Sequence, residues 1–307
     1  MHKFRKRRCE LATPAVNLKM IEKALGLSVD QVFLDLEDSI PAERKGEARD
    51  NAISALNELD WGDITRSIRI NDASSIWCYR DVVEIVSKAG ANLDVIILPK
   101  VKGPGDLHFL DRLLTQLEKE FSLPGSIGIE CLIESPEAVE YIREIAFSTP
   151  RLEALIFGAA DFAASMGIPI MNLTELYEHK DKPAIHPWSY ILNRIAVAGR
   201  AAGLQLIGGS FPGFREEVLE NYRYEAEQEE TFGFDGKWAI HPNQVQIAMN
   251  VFTPSEQVVD KARKLITAHK EALSRGSGAF VHDGEMSDAA TVEVAERILA
   301  RSGGLRF

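Results

Sequence analysis

Apolar residues along this chain gather into short β-rich runs, each followed by a stretch in which they recur every three or four positions. The runs are CELAT from Cys9, QVFLDL from Gln31, RSIRIN from Arg66, VIILPKV from Val95, IGIECLIE from Ile127, ALIFG from Ala154, LQLIGG from Leu204 and KWAIHP from Lys237. Between them, sets such as Ala48, Ala52, Ala55, Leu56 and Leu59, or Leu107, Leu110, Leu113, Leu114 and Leu117, fall on one face of a helix. Pro41, Gly103-Pro104-Gly105, Ser135-Pro136 and Pro242-Asn243 punctuate the junctions. Strand then helix, eight times over, predicts an α/β protein built as a (β/α)8 TIM barrel. A doubly wound open sheet is the alternative, disfavoured because no glycine-rich dinucleotide turn follows the first strand. The barrel is expected over residues 1–253. A C-terminal helical extension, 254–307, then follows the Phe252-Thr253-Pro254-Ser255 stretch. It should hold a helix from Glu256 to Ser274, a flexible link reading SRGSGAFVHDGEMSD, and a last helix through Val292, Ala295, Ile298 and Leu299. With no internal core of its own, the extension is expected to pack on the barrel or on a neighbouring subunit.

Composition narrows the functional classes. A chain of 307 residues, 45% hydrophobic and 26% charged, can bury a large core, which excludes low-complexity disorder. Its net charge of -11 excludes a nucleic-acid or anionic-membrane surface, since such binding relies on clustered Lys and Arg. The basic start, MHKFRKRR, reads as a solvated segment, with a grip on an anionic ligand as the alternative. No apolar h-region follows it and no apolar run is long enough to span a membrane, so neither a signal peptide nor a membrane anchor is expected. Cys9, Cys78 and Cys131 lack C-x-x-C spacing and are odd in number, which predicts free thiols and a cytoplasmic location. Cys131, inside IGIECLI, reads as a packing residue.

Barrel active sites form at the carboxyl ends of the strands, so strand-end residues can be read as one ring. Those positions carry Glu37 and Asp38, Arg69 and Asn71, Lys100, Glu134, Asp161 and His241. A carboxylate costs several kcal/mol to bury unless it is paired or metal-bound, so QVFLDLED predicts a cation beside it. Glu134 and Asp161, each following an apolar strand on adjacent staves, are the metal-ligand candidates. Hard oxygen donors without a His or Cys cluster suit Mg²⁺ or Mn²⁺ rather than Zn²⁺. The competing reading makes them caps of helices starting at Pro136 and Ala163. Glu37 and Asp38 then stand behind the metal, holding its waters or orienting Arg69. Asp35 reads either as part of that group or as a buried partner for a basic side chain, and is left out of the site. Arg69 can bind a carboxylate with two prongs, stabilise a developing oxyanion, or simply pair with Glu37 or Asp38. Lys100 is balanced between site and salt bridge, and His241 reads as a local hydrogen-bonding residue rather than a ligand.

The ordered set LDLEDSI, SIRIN, VIILPKV, LIES, FGAADFAASMG, KWAIHPNQV, FTPSE and DGEMSDAAT resembles the HpcH/HpaI aldolase and citrate lyase β-subunit superfamily, and GAADFAASMG and GKWAIHP resemble its malyl-CoA lyase branch. The resemblance covers nearly the whole chain, from Arg8 to Leu299. It implies a Mg²⁺-dependent carbon–carbon lyase, trimeric or hexameric, that cleaves or forms a 2-hydroxyacyl-CoA such as malyl-CoA from acetyl-CoA and a 2-oxo acid, glyoxylate. By motif it implies Glu134 and Asp161 as metal ligands and Arg69 as the active-site arginine. It also implies Asp288 in GEMSD as an acid/base delivered by the extension to a neighbouring subunit. The residues alone make Asp288 a helix cap.

Three departures lie on the substrate side. The family's glycine-rich turn with an arginine, resembling G-P-G-S-R, is replaced by ATPAVN, Ala12 to Asn17, so Lys23, Lys19 or the basic start is expected to meet the CoA phosphates instead. IGGSF from Ile207 has lost a larger side chain, and space at Gly208 and Gly209 is expected to admit a substrate methyl group. The segment from Ile168 to Ile185 is shorter than in malyl-CoA lyases. The alternatives are therefore β-methylmalyl-CoA or citramalyl-CoA lyase, malyl-CoA thioesterase, an aldolase acting on free hydroxy acids, and a non-catalytic acyl-CoA-binding subunit.

Overall fold

The structure is a computed structural model that describes residues 4–169 and 186–302. Eight parallel strands close into a barrel in sequence order: β1 (Cys9–Pro14), β2 (Gln31–Asp35), β3 (Thr65–Arg69), β4 (Val95–Leu98), β5 (Gly128–Ile133), β6 (Leu152–Phe157), β7 (Gln205–Gly208) and β8 (Gly236–Ala239), with β8 pairing β1. Nearly every strand residue is buried, because helices cover the outside and the strands fill their own interior. The helices are α1 (Leu18–Leu25), α2 (Lys45–Glu58), α3 (Cys78–Ala89), α4 (Pro104–Glu120), α5 (Pro136–Glu140), α6 (Ile142–Ala146), α7 (Ala159–Ser165), α8 (Ser189–Ala201), α9 (Leu219–Thr231) and α10 (Pro242–Val251). No helix among the described residues is long and apolar enough to cross a membrane. All three cysteines are free and buried.

One cluster draws Phe33, Ile97, Leu132, Ala154, Ile156, Ile207 and Trp238 from six different strands, a combination that only the barrel interior allows. Phe33 and Trp238 stack at 4.4 Å between ring centroids in its middle. At the amino ends of the strands the interior turns polar. Arg7 is 1% exposed, and its Nε and Nη2 lie 2.7 Å from Glu130 Oε1 and 2.5 Å from Glu153 Oε2; Nη1 donates to Gln205. Arg5 pairs with Glu153 and Asp94, and Arg8 with Asp30. Burial, and then the nearby Glu130, holds Glu10 well above the ordinary carboxyl range. Within the basic start, Arg5, Arg7 and Arg8 are therefore not solvated but close the barrel floor by neutralising carboxylates that long-range folding delivers there, while Lys6 is exposed. Replacing Arg7 by Met strands Glu130 and leaves Glu153 with Arg5 alone. It should lower stability by about 3–5 kcal/mol, measured by urea unfolding, with the activity of the molecules that remain folded little changed.

The chain divides into two compact units, one ending at Met249 and the other starting at Asn250. The second contains α11 (Glu256–Ser274), β9 (Phe280–His282), β10 (Glu285–Ser287) and α12 (Ala289–Arg301). The structure revises the reading of this segment in two places. The link contains an antiparallel hairpin, β9 paired with β10, turned by Asp283 and Gly284 at φ 51° and 85°; Asp-Gly supplies the two positive-φ positions that a tight hairpin needs. The extension also has a core, Val259, Ala262, Ala295 and Leu299, flanked by Leu265, Ile266 and Ile298.

Candidate active site

The two-residue period of a strand decides which side chains meet at the barrel's carboxyl end. Phe33 and Leu132 lie in the interior, so Asp35 and Glu134, two residues further along, continue the same face. Register sets Asp35 directly beside Arg69 on β3. Arg69 Nε and Nη2 donate to Asp35 Oδ1 and Oδ2 at 2.7 and 2.8 Å, a two-pronged pair. Arg69 Nη1 sits 2.9 Å from Glu37 Oε2 and 4.0 Å from Asp38 Oδ2, and the guanidinium rests over the Trp238 ring. The basic partner of Asp35 is thus Arg69 itself, and Asp35 belongs to the cluster from which the sequence reading left it out. N–H groups on both terminal nitrogens of Arg69 stay free of Asp35 and able to meet a ligand oxygen.

Lys100, two residues beyond the end of β4, has φ 52°. A side-chain-bearing residue pays about 1–2 kcal/mol for that conformation, and here it aims two groups at once. The Lys100 amide donates to Glu134 Oε1 at 2.5 Å, while its Nζ lies 2.7 Å from Glu37 Oε1 and 2.8 Å from Asp38 Oδ1. Glu37 is 4% exposed, and its contacts with Arg69 and Lys100 are ion pairs rather than aligned hydrogen bonds. Burial pushes Glu37 up to about 7 against the opposing pull of Arg69.

Glu134 is 4% exposed and lies against Gly158, where a Cβ would come within 2.5 Å of its Cβ and Oε2, so only glycine leaves this carboxylate room. Burial, then the charge of Asp161, pushes Glu134 up to about 8, with the Lys100 amide opposing. Asp161 is half-buried in the first turn of α7. The capping alternative fails for Glu134, because Ser135 Oγ takes the Ala138 amide and caps α5. Helix α7 starts at Ala159, not Ala163, with Gly158 as its N-cap, so Asp161 lies inside the turn.

Five carboxylates, Asp35, Glu37, Asp38, Glu134 and Asp161, face three cations here, Lys45, Arg69 and Lys100. Among the described residues Arg69 and Lys100 serve Asp35, Glu37 and Asp38, and neither Glu134 nor Asp161 has an ion-pair partner. Two mutually repelling carboxylates with no cation between them fit a hard divalent ion. No group of three or more His, Cys, Asp or Glu converges among the described residues. The other coordination positions would therefore fall to water and ligand oxygens, which Mg²⁺ favours.

The remaining sequence candidates lie elsewhere. Lys23 is exposed on the last turn of α1 and makes no contact with this cluster, and Asn17 caps that helix by accepting the Met20 amide. His241 accepts from the Asn243 amide and stacks on Phe214, a local role as expected. The expected space at Gly208 and Gly209 is filled. A Cβ would meet the Glu229 carboxylate at 1.9 Å at the first and the Phe157 carbonyl oxygen at 1.8 Å at the second. These glycines permit close packing of β7 on α9 and β6 and open no substrate pocket. Residues 170–185, most of the segment expected to be shortened, lie outside the described residues. Asp288, in the second unit, is the N-cap of α12. Its Oδ1 accepts from the Thr291 and Ala290 amides at 3.2 and 3.0 Å, and these bonds, the Thr291 amide foremost, hold its carboxyl below the usual range.

A closed eight-stranded parallel barrel with acidic and basic side chains concentrated at the carboxyl ends of its strands defines the class of α/β-barrel enzymes. Residues 8–242 match the HpcH/HpaI aldolase/citrate lyase family, and the chain belongs to it. It is 38% identical over 304 residues to an L-malyl-CoA/beta-methylmalyl-CoA lyase of Cereibacter sphaeroides, covering 97% of this chain and 95% of the relative. It is 34% identical over 286 residues to a malyl-CoA/beta-methylmalyl-CoA/citramalyl-CoA lyase of Chloroflexus aurantiacus, covering 88% and 80%. In fold it is similar to a citrate lyase from Burkholderia xenovorans, with a TM-score of 0.78 at 22% identity, covering 96% of this chain and 91% of that one.

Proposed function

We propose that this chain is a Mg²⁺-dependent carbon–carbon lyase acting on a 2-hydroxyacyl-CoA, with malyl-CoA split into acetyl-CoA and glyoxylate. The observation that carries the reading is the 38% identity to a malyl-CoA/beta-methylmalyl-CoA lyase over almost the full length of both chains. Glu134 and Asp161 would hold the metal, and Mn²⁺ would fit the same oxygens. When bound, the ion supplies Lewis acidity toward the carbonyl oxygen of the 2-oxo acid.

The chain's own residues then divide the work. In the condensing direction the Asp288 carboxylate takes a proton from the acetyl-CoA methyl carbon, and the free N–H groups of Arg69 stabilise the negative charge growing on the thioester oxygen. The enolate carbon adds to the aldehyde carbon of glyoxylate as its C=O π bond opens, and the oxygen takes up one proton to become the hydroxyl, balancing the one removed; cleavage of malyl-CoA runs these steps in reverse. Asp35 and Glu37 fix the Arg69 plane, so that its donors are preorganised rather than recruited from water. We further take residues 254–307 to deliver Asp288 to a neighbouring subunit of a homotrimer or homohexamer, and the three free thiols to reflect a reducing cytoplasm. Lys23, though remote from the cluster, remains a basic group available to a CoA phosphate.

The test is incubation of malyl-, β-methylmalyl- and citramalyl-CoA with and without Mg²⁺, identifying both products. Glyoxylate or pyruvate with an acyl-CoA supports the reading. Free CoA with the intact hydroxy acid means a thioesterase, and binding without turnover means a non-catalytic subunit.

Proton linkage gives the metal step a pH signature. Glu134, pushed up to about 8, is protonated in the metal-free protein below that pH, and the ion must displace the proton. Mg²⁺ affinity should rise about tenfold per pH unit up to pH 8 and level off above it. The metal-free fold should change in the opposite sense: because the folded pKa lies above the unfolded one, the Glu134 contribution to stability is lost as pH rises through 8. Calorimetric Mg²⁺ titrations between pH 6 and 9 check the first sign, and urea unfolding of the metal-free protein over the same range checks the second.

A further inference from the structure

The first residue of α2, Lys45, breaks two rules at once. It puts a cation at the positive end of a helix dipole, and it buries an ammonium to 7% exposure without a carboxylate in hydrogen-bond range. Its three hydrogen bonds go to neutral oxygens: the carbonyls of Leu36 and Glu37 at 2.7 and 2.8 Å and Asn71 Oδ1 at 2.6 Å. The indole of Trp77 covers the ammonium at 5.5 Å.

All three acceptors belong to the backbone segments that carry the site. Leu36 and Glu37 form the turn after β2 that presents Glu37 and Asp38, and Asn71 follows Arg69 by two residues after β3. Asn71 is locked from the other side, its backbone N and Nδ2 donating to Asp81 Oδ2 at 3.0 and 2.6 Å. Asp81 is fully buried, and its second oxygen is 3.3 Å from Arg49 Nε on α2. The chain of contacts therefore starts on α2, ties the ends of β2 and β3 together, and returns to α2 through α3. A device serving stability alone would gain as much from apolar packing. Local rules broken without a packing gain point to function.

We propose that Lys45 is a positioning residue of the active site: by clamping the Leu36–Glu37 carbonyls to Asn71 it fixes Glu37, and through Glu37 the orientation of the Arg69 guanidinium. Lys45 contacts neither Glu134 nor Asp161. The kinetic consequence rests on the lyase reading; the geometric consequence does not.

The test combines kinetics with a crystal structure. Lys45→Met should lower kcat for malyl-CoA cleavage about 10- to 100-fold, the scale of a small misplacement of a catalytic group, with KM changed less than about twofold. Because Lys45 acts through Glu37, Lys45→Met should cost almost nothing further on a Glu37→Gln background. Multiplying losses, or an unchanged kcat, would overturn the proposal. The crystal structure of the variant should show the Leu36–Asp38 turn and the Arg69 side chain displaced within an intact barrel, and an unmoved turn would overturn it as well. Should the wild-type protein cleave none of the thioesters, the lyase reading falls while the structure of the variant still decides the positioning claim. Lys45→Gln, which keeps one donor at that place, serves the same comparisons if the Met variant does not fold; it should fall between wild type and complete loss.

Discussion

Glu134→Gln should yield a folded protein that no longer takes up Mg²⁺ and whose malyl-CoA cleavage falls at least about 10³-fold, the loss of a Lewis acid worth several kcal/mol. The substitution is sharp because of the environment of the carboxyl group. Burial and Asp161 already keep it protonated near neutral pH in the absence of metal, and Gln has the shape and neutrality of that protonated form. The Lys100 amide can still donate to the Gln carbonyl oxygen, so the strained turn at φ 52° keeps its partner. Thermal unfolding of the metal-free variant at pH 7 should therefore come no lower than that of wild type, because only in wild type does unfolding release a carboxyl group to ionise. The stabilisation that excess Mg²⁺ confers on wild type, growing with the logarithm of its concentration, should be absent. A variant that keeps most of its glyoxylate release would show that the metal sits elsewhere.

Arg69→Met should damage both chemistry and fold, and the two losses can be separated. Removing the donors that face the growing negative charge should lower kcat about 10²- to 10³-fold. Removing the guanidinium also strands Asp35, 2% exposed, and leaves Glu37, 4% exposed, with Lys100 alone, which should cost about 3–5 kcal/mol of stability. Asp35→Asn in the same chain relieves one of those buried charges and should recover part of the stability and none of the activity. Arg69→Lys keeps a charge but not the two-pronged geometry; it should recover stability more than turnover. Urea unfolding and steady-state kinetics on the four proteins read the two effects independently.

The barrel was legible in the sequence because it is written twice over, in eight β-rich runs and in the helical spacing between them. Glu134, Asp161 and Arg69 stood out as candidates because each lies at or just beyond the end of an apolar run, and the structure gives neither Glu134 nor Asp161 an ion-pair partner among the described residues. The basic start was misread because nothing near it in sequence could pair its charges, whereas this fold pairs them across distant strands. Arg7 meets Glu130 and Glu153 on β5 and β6, so a run that reads as solvated becomes the barrel floor. Asp35 and Arg69 meet because each closes its strand and the parallel register sets them side by side, which the two runs alone do not show. Nothing local marks Lys45 except its position at a helix start, where a cation is unfavourable. The glycines of IGGSF read as space because sequence shows a missing side chain but not the neighbour that fills its place, here Glu229 and the Phe157 carbonyl. The Asp283-Gly284 turn was an available signal for the hairpin.

Calorimetric titration of Mg²⁺ into wild type, Glu134→Gln and Asp161→Asn at pH 8 tests the shared dication most directly. One ion per chain in wild type, lost or weakened at least about 10-fold in each variant, is the predicted result. Undiminished uptake in both variants, or none in wild type, would contradict it.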